Sequence, residues 1–260
     1  MTALDLHPRP GAAPWRQRVR AQVGLELGMT LRNGEQLLLT LVIPAGLLVA
    51  FGRTQFLDLG TATDPEARLA VLAPGVLALA VLSTAFTGLA IQTGFERRYG
   101  VLKRLGATPL GRDGLLAGKA GAVFAVEAGQ VAVLSALAVA LGWRPHVQVG
   151  GLAATLALVV LATVALAGMG LLLAGTVRAE ATLAVANLVY LVLLVGGGLI
   201  VPSTDWPAVL TGLQSLLPTA ALADGLRTAL AGQPVGAAPW LVLAAWAAVG
   251  AWATRLFRWE

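Results

Sequence analysis

The 260-residue chain has no cysteine, and only 12% of its residues are charged. The first absence excludes disulfides, thiolate metal sites and cysteine nucleophiles. The second excludes an ordinary soluble domain, in which roughly a quarter of residues carry charge. Histidine is scarce as well. His7 and His146 fall in segments separated by long apolar runs, so no metal cluster is expected from them. No acid pair, Ser/His/Asp set or Asp-rich diphosphate motif stands out. A phosphate-binding loop is missing too: Gly118-Lys119 is followed by Ala120, which has no hydroxyl for Mg²⁺, and Asp113 stands where the motif's earlier glycine belongs.

Apolar residues are abundant. The chain is 57% hydrophobic, with a mean hydropathy of +0.80. That composition defines an integral membrane protein. The net charge of +5 is read as a topology signal rather than as a nucleic-acid surface. A crossing needs about 20 apolar residues. Six runs qualify or nearly do: 37–52, 70–94, 120–142, 149–175, 183–201 and 237–254. The first is short and carries Pro44; it lies behind a long basic segment and reads as a retained span rather than a signal peptide. The last is short and bordered by Trp240, Trp252 and Trp259. Of the 18 Lys and Arg residues, only Arg53, Arg68, Arg144 and Arg227 fall on the side opposite the N-terminus. The positive-inside rule then puts both termini in the cytoplasm.

Three segments between the spans have patterns of their own. In 15–34, Trp15, Val19, Val23, Leu27 and Leu31 recur every four residues and Arg16, Arg18 and Arg20 fall off the stripe. This predicts an amphipathic helix in the cytoplasmic interface. In 95–119, Phe95, Tyr99, Leu102 and Leu105 share helical spacing, Gly106-Ala107 ends the helix, and Thr108-Pro109 reads as an N-cap followed by proline at the first helical position. In 202–236, one apolar face runs through Trp206, Leu210, Leu213 and Leu217, Pro218 breaks it, and a second runs through Leu222, Leu226, Ala229 and Leu230. Two short amphipathic helices at the outer interface are expected. Inside the spans, Glu127 is the clear ionisable group, with Gln130 near it and Asn187 in the fifth span. Glu127 is either a carboxylate bonded within the bundle or a polar point on a substrate path or dimer seam. Gln130 and Asn187 suit interhelical hydrogen bonds.

The stretch "ERRYGVLKRLGATPLGRDGLLAGK", residues 96–119, resembles the loop between spans two and three of permease subunits of ABC-2 type transporters, above all their drug-exporter branch. The matching residues are Glu96, Arg97, Gly100, Leu102, Leu105, Thr108, Pro109, Leu110, Arg112, Gly118 and Lys119. Residues 197–232 resemble that family's last external segment through Gly198, Pro202, Pro207, Leu217, Pro218, Leu226, Arg227 and Gly232. One departure is Leu199-Ile200, where the family often has an aromatic pair.

The resemblance implies an all-α polytopic membrane protein: a single permease domain over 1–260 with six spans, the interfacial helix, a cytoplasmic coupling helix and an external helical hairpin. It implies a non-catalytic exporter subunit moving hydrophobic drug-like molecules or lipids, in a bacterial-type plasma membrane. No cofactor is expected on this chain; ATP and Mg²⁺ would bind two copies of a partner ATPase. A second permease subunit, the same or a sister chain, would complete a path walled partly by spans two and five. The implied ATPase-coupling residues are Phe95, Glu96, Arg97, Arg98, Tyr99, Gly100, Leu102, Arg104, Leu105, Thr108 and Pro109, with the apolar face of the helix filling a groove on the ATPase. Substrate-path candidates are Glu127, Gln130 and Asn187, and external-gate candidates are Pro202, Trp206, Pro207, Pro218 and Arg227. The rival readings are an intramembrane enzyme or scaffold for lipid-linked substrates, and an ion-coupled carrier dependent on Glu127.

Overall fold

The computed structural model describes residues 11–52, 54, 64–201 and 208–256, and every regular element among them is helical. Helix α1 (Trp15–Arg32) leads to a short α2 (Gly34–Leu37), which passes through a π-helical segment, Leu38–Val42, into α3 (Ile43–Gly52). Helix α4 (Pro65–Val81) passes through a second π segment, Leu82–Gly88, into α5 (Leu89–Arg98). These last three form one rod, Pro65–Arg98. Then follow α6 (Val101–Gly106), α7 (Gly111–Ala140), α8 (Val149–Thr176), α9 (Ala179–Gly196), α10 (Ala208–Ser215), α11 (Pro218–Leu230) and α12 (Ala237–Ala253).

Four of these are long and apolar enough to cross a membrane: the rod, α7, α8 and α9. Two apolar helices are shorter, Thr40–Gly52 and Ala237–Ala253. At 1.5 Å per residue α12 reaches only about 25 Å, a little under the hydrocarbon thickness.

The rod is the centre of the chain. Within its most apolar window 89% of residues are buried by neighbours, against 22% for α9. Helices α3, α7 and α11 pack on α4, and α8 and α9 pack on α5. This corrects the expectation that span two walls a path between two permeases, because its surface is already used within one chain.

Close approach has visible causes. A Cβ on Gly168 would lie 2.3 Å from Gly250 Cα, so α8 and α12 cross backbone to backbone. Small residues at such crossings let dispersion act where lipid supplies no hydrophobic drive.

Helix α1 forms as the periodicity predicts, but its buried face is the polar one. Gln22, Glu26 and Thr30 are buried against the chain, Val19, Val23 and Leu27 of the stripe are half-buried, and Trp15, Leu25, Met29 and Leu31 are exposed. In a bilayer this is the favourable arrangement. Lipid solvates the apolar side, and polar groups must find partners inside. Gly118 and Gly121 on α7 make room: a Cβ there would come within 2.3 Å of Gln22 Cγ and 2.8 Å of Val23 Cγ2.

The two arms of the α10–α11 hairpin also differ in burial. Helix α11 buries Leu222, Leu226 and Ala229 against α4, α8 and α12, whereas α10 leaves Leu210 and Leu213 exposed.

Candidate functional site

Arg97, Arg98, Lys103, Arg104, Arg112 and Lys119 gather at one end of the bundle, called here the basic end. The rod stops there for a local reason. Tyr99 N donates to Phe95 O at 2.9 Å and Gly100 N to Arg97 O at 3.1 Å, and Gly100 sits at φ +69°. Only glycine takes that left-handed position without strain. So the expected continuous helix through Phe95–Leu105 is two helices hinged at Gly100. The second correction concerns Thr108 and Pro109. Helix α7 begins at Gly111, with Leu110 as its cap position. Thr108 Oγ1 instead donates to Leu105 O at 2.6 Å and accepts from Leu110 N at 3.4 Å, closing the turn after α6. Pro109 lies exposed in that turn.

Three consecutive side chains at the rod's end bind three different helices. Glu96 Oε2 lies 2.6 Å from Lys119 Nζ on α7. Arg97 Nη1 donates to Ala174 O at 2.6 Å and Val177 O at 3.4 Å, satisfying carbonyls at the C-terminus of α8. Arg98 pairs with Glu180 in the first turn of α9. Glu96 is buried and Arg97 half-buried, so these two are internal fasteners and not part of an exposed coupling face. The same correction applies to Leu102, which is 0% exposed and anchors α6 to the core, and to Leu105, half-buried against it. Phe95 is half-buried, its ring stacked with Tyr99 at 6.2 Å between centroids. Arg98, Tyr99, Lys103 and Arg104 face outward together, with the Arg98 guanidinium 5.9 Å from the Tyr99 ring centre.

Beneath this turn lies a closed polar ring that sequence reasoning did not assemble. Lys119 Nζ is 3.0 Å from Glu26 Oε1 as well as 2.6 Å from Glu96 Oε2. Gln92 Nε2 donates to Glu26 Oε2 at 2.7 Å and to Glu96 Oε1 at 3.0 Å, and Gln22 Nε2 donates to Glu26 Oε1 at 2.8 Å. The sequence signal was present in the Gly118-Lys119 pair: the glycine lets α1 approach and the lysine meets its carboxylate.

Deeper in the bundle, Glu127 and Gln130 are both buried. Thr163 Oγ1 on α8 donates to Glu127 Oε2 at 2.7 Å, and Oε1 has no hydrogen-bond partner among the described residues. Gln130 joins the two π segments. Thr84 Oγ1 donates to Gln130 Oε1 at 2.9 Å, and Gln130 Nε2 donates to Thr40 O at 3.1 Å. Pro44 has no N–H for the carbonyl four residues before it, which is that of Thr40. The third path candidate does not join them: Asn187 is exposed on α9.

At the opposite end, Arg227 on α11 is a clamp. Its Nη2 donates to Gly198 O at 2.8 Å and Leu199 O at 2.9 Å, its Nε to Val71 O at 3.4 Å, and its Nη1 pairs with Asp224 at 2.9 Å. Burial lowers the guanidinium's affinity for its proton, and the Asp224 carboxylate opposes that shift. Pro218 occupies the first turn of α11, as its fixed φ favours. Pro202, Trp206 and Pro207 lie outside the described residues.

The comparisons with known proteins agree with this architecture. The family model for the ABC-2 type transporter matches residues 25–231, most of the chain. The chain belongs to the ABC-2 type transporter family, and is a multi-pass membrane protein with a permease role in transport. No curated protein matches it.

Proposed function

We propose that this chain is the membrane subunit of an ATP-driven exporter and that the turn between α5 and α6 receives work from a separate ATPase. The observation that carries the reading is the outward cluster of Arg98, Tyr99, Lys103 and Arg104 on a turn whose inner side is fastened to α7 and α8 by Glu96 and Arg97, with Arg98 itself pairing to Glu180 on α9 at the surface. A contact surface of aromatic and arginine side chains is typical of interface anchors. A rigid mount lets a push on that surface move several spans at once.

In this reading both termini and the basic end are cytoplasmic, and residues 1–260 act as one permease domain. Two ATPase subunits hold ATP and Mg²⁺, and a second permease, the same or a sister chain, completes the path. Cargo is hydrophobic or amphipathic, a drug-like molecule or a lipid, in keeping with the drug-exporter resemblance. The coupling contacts are Arg98, Tyr99, Lys103 and Arg104, with Gly100 as their hinge and Thr108 and Pro109 at their margin. The clamp made by Arg227 steadies the external gate.

Pull-down of the tagged chain from native membranes, with identification of what is retained, tests this directly. Recovery of an ABC ATPase is expected, and Tyr99→Ala with Arg104→Glu should lose it. Transport by the purified chain alone under a proton gradient would replace this reading with that of an ion-coupled carrier.

A further inference from the structure

We propose that Lys119 is a positioning residue that locks α1, the end of the rod and the start of α7 into one body, so that any displacement of α6 is handed to α1 in the membrane interface. This rests on the reading of the α5–α6 turn as the input of work. It adds a second output: the interfacial helix, beside the spans.

The geometry is a closed circuit. Lys119 on α7 contacts Glu26 on α1 and Glu96 on α5, and Gln92 on α5 bonds both carboxylates. Lys119, Glu26 and Glu96 are 2%, 3% and 8% exposed. No member can shift without stranding a charge away from water, which is strongly unfavourable. Sliding of α1 along α7 is therefore opposed by these charges, in addition to the seating of Val23 over Gly121. The lipid-facing side of α1, through Leu25, Met29 and Leu31, offers no fixed register. Buried ionic groups of this kind are poor sources of stability compared with apolar isosteres, but they fix register. Register is what a lever needs. Leu102, fully buried, ties α6 to the same body.

The absence of cysteine makes the test clean, because spin labels attach only where cysteines are introduced. Labels on Leu25→Cys (α1) and Ala107→Cys (after α6), both at exposed positions, report the α1–α6 distance in lipid nanodiscs. The expected result is a narrow distribution that keeps its centre when the associated ATPase is trapped with nucleotide. Lys119→Met should broaden it about twofold. The triple variant Glu26→Gln, Glu96→Gln, Lys119→Met leaves no charge stranded and so guards against simple misfolding; it should show the same broadening and move less cargo per ATP. A triple variant with native width, or a native chain whose α1–α6 distance shifts on trapping, would overturn the proposal. If no ATPase associates with the native chain, the reading of the α5–α6 turn fails, while the widths measured on the free chain still decide whether Lys119 locks α1.

Discussion

A Cβ on Gly75 would lie 1.7 Å from the carbonyl oxygen of Leu199 and 3.2 Å from Arg227 Nη2. The rod and the turn after α9 therefore meet backbone to backbone, and Arg227 donates to the carbonyl that Gly75 makes room for. Gly75→Ala should push Leu199 away and break that bond. Overpacking at a closed contact costs about 1–3 kcal/mol, and the lost hydrogen bond adds to it. A clearly lower Tm in detergent is the expected outcome; an unchanged Tm would mean the turn relaxes freely.

Arg227→Lys asks what the clamp needs. Lysine keeps the charge but replaces a planar fork with a single point donor. It cannot reach Val71, Gly198 and Leu199 together with Asp224. The substitution should lower thermal stability nearly as much as Arg227→Ala, with faster amide exchange at residues 196–201. Full rescue by lysine would show that charge alone matters.

The basic end separates fold from coupling. Leu102→Asp puts a carboxylate where there is no water, so the chain should fail to fold or be degraded. Tyr99→Ala and Arg104→Glu change outward side chains. They should leave the unfolding free energy within about 0.5 kcal/mol of wild type while reducing ATPase recovery at least several-fold. Equal loss of stability in both groups would argue that the outward cluster is structural.

Much of this was legible in the sequence, and the illegible part has two physical causes. The apolar runs located every long membrane helix, but the glycine in "ERRYG", which sits at φ +69° and ends the rod, was read through as part of one helix. What periodicity could not tell was which face turns inward. In water the apolar stripe is the buried one. In a bilayer lipid takes that side, so α1 buries Gln22, Glu26 and Thr30 instead. The same inversion misassigned Glu96 to an outer surface, whereas Leu102 is an apolar residue that simply packs inward, at 0% exposure, where a partner's groove was expected. Contacts such as Gly75 with Leu199 join distant parts of the chain and carry no local pattern. The polar ring was hidden for that reason too, since its members come from α1, α5 and α7.

The crossing of α8 and α12 gives a prediction about coupling between two sites. Gly168 Cβ would meet Gly250 Cα at 2.3 Å, and Gly250 Cβ would meet Val164 O at 2.8 Å and Ala165 O at 2.9 Å. Either glycine changed to alanine forces the helices apart, at about 1–3 kcal/mol. Once they are apart, the second methyl enters space already opened. The double variant Gly168→Ala, Gly250→Ala should therefore cost less than the sum of the two singles, with an interaction energy of about 1 kcal/mol or more. A thermodynamic cycle from reversible unfolding in mixed micelles measures it. Strict additivity would mean that the two methyls are absorbed by separate local adjustments and that the backbones do not touch in the membrane. Because α12 is too short to span comfortably by itself, its hold on α8 is the interaction most exposed to such a change.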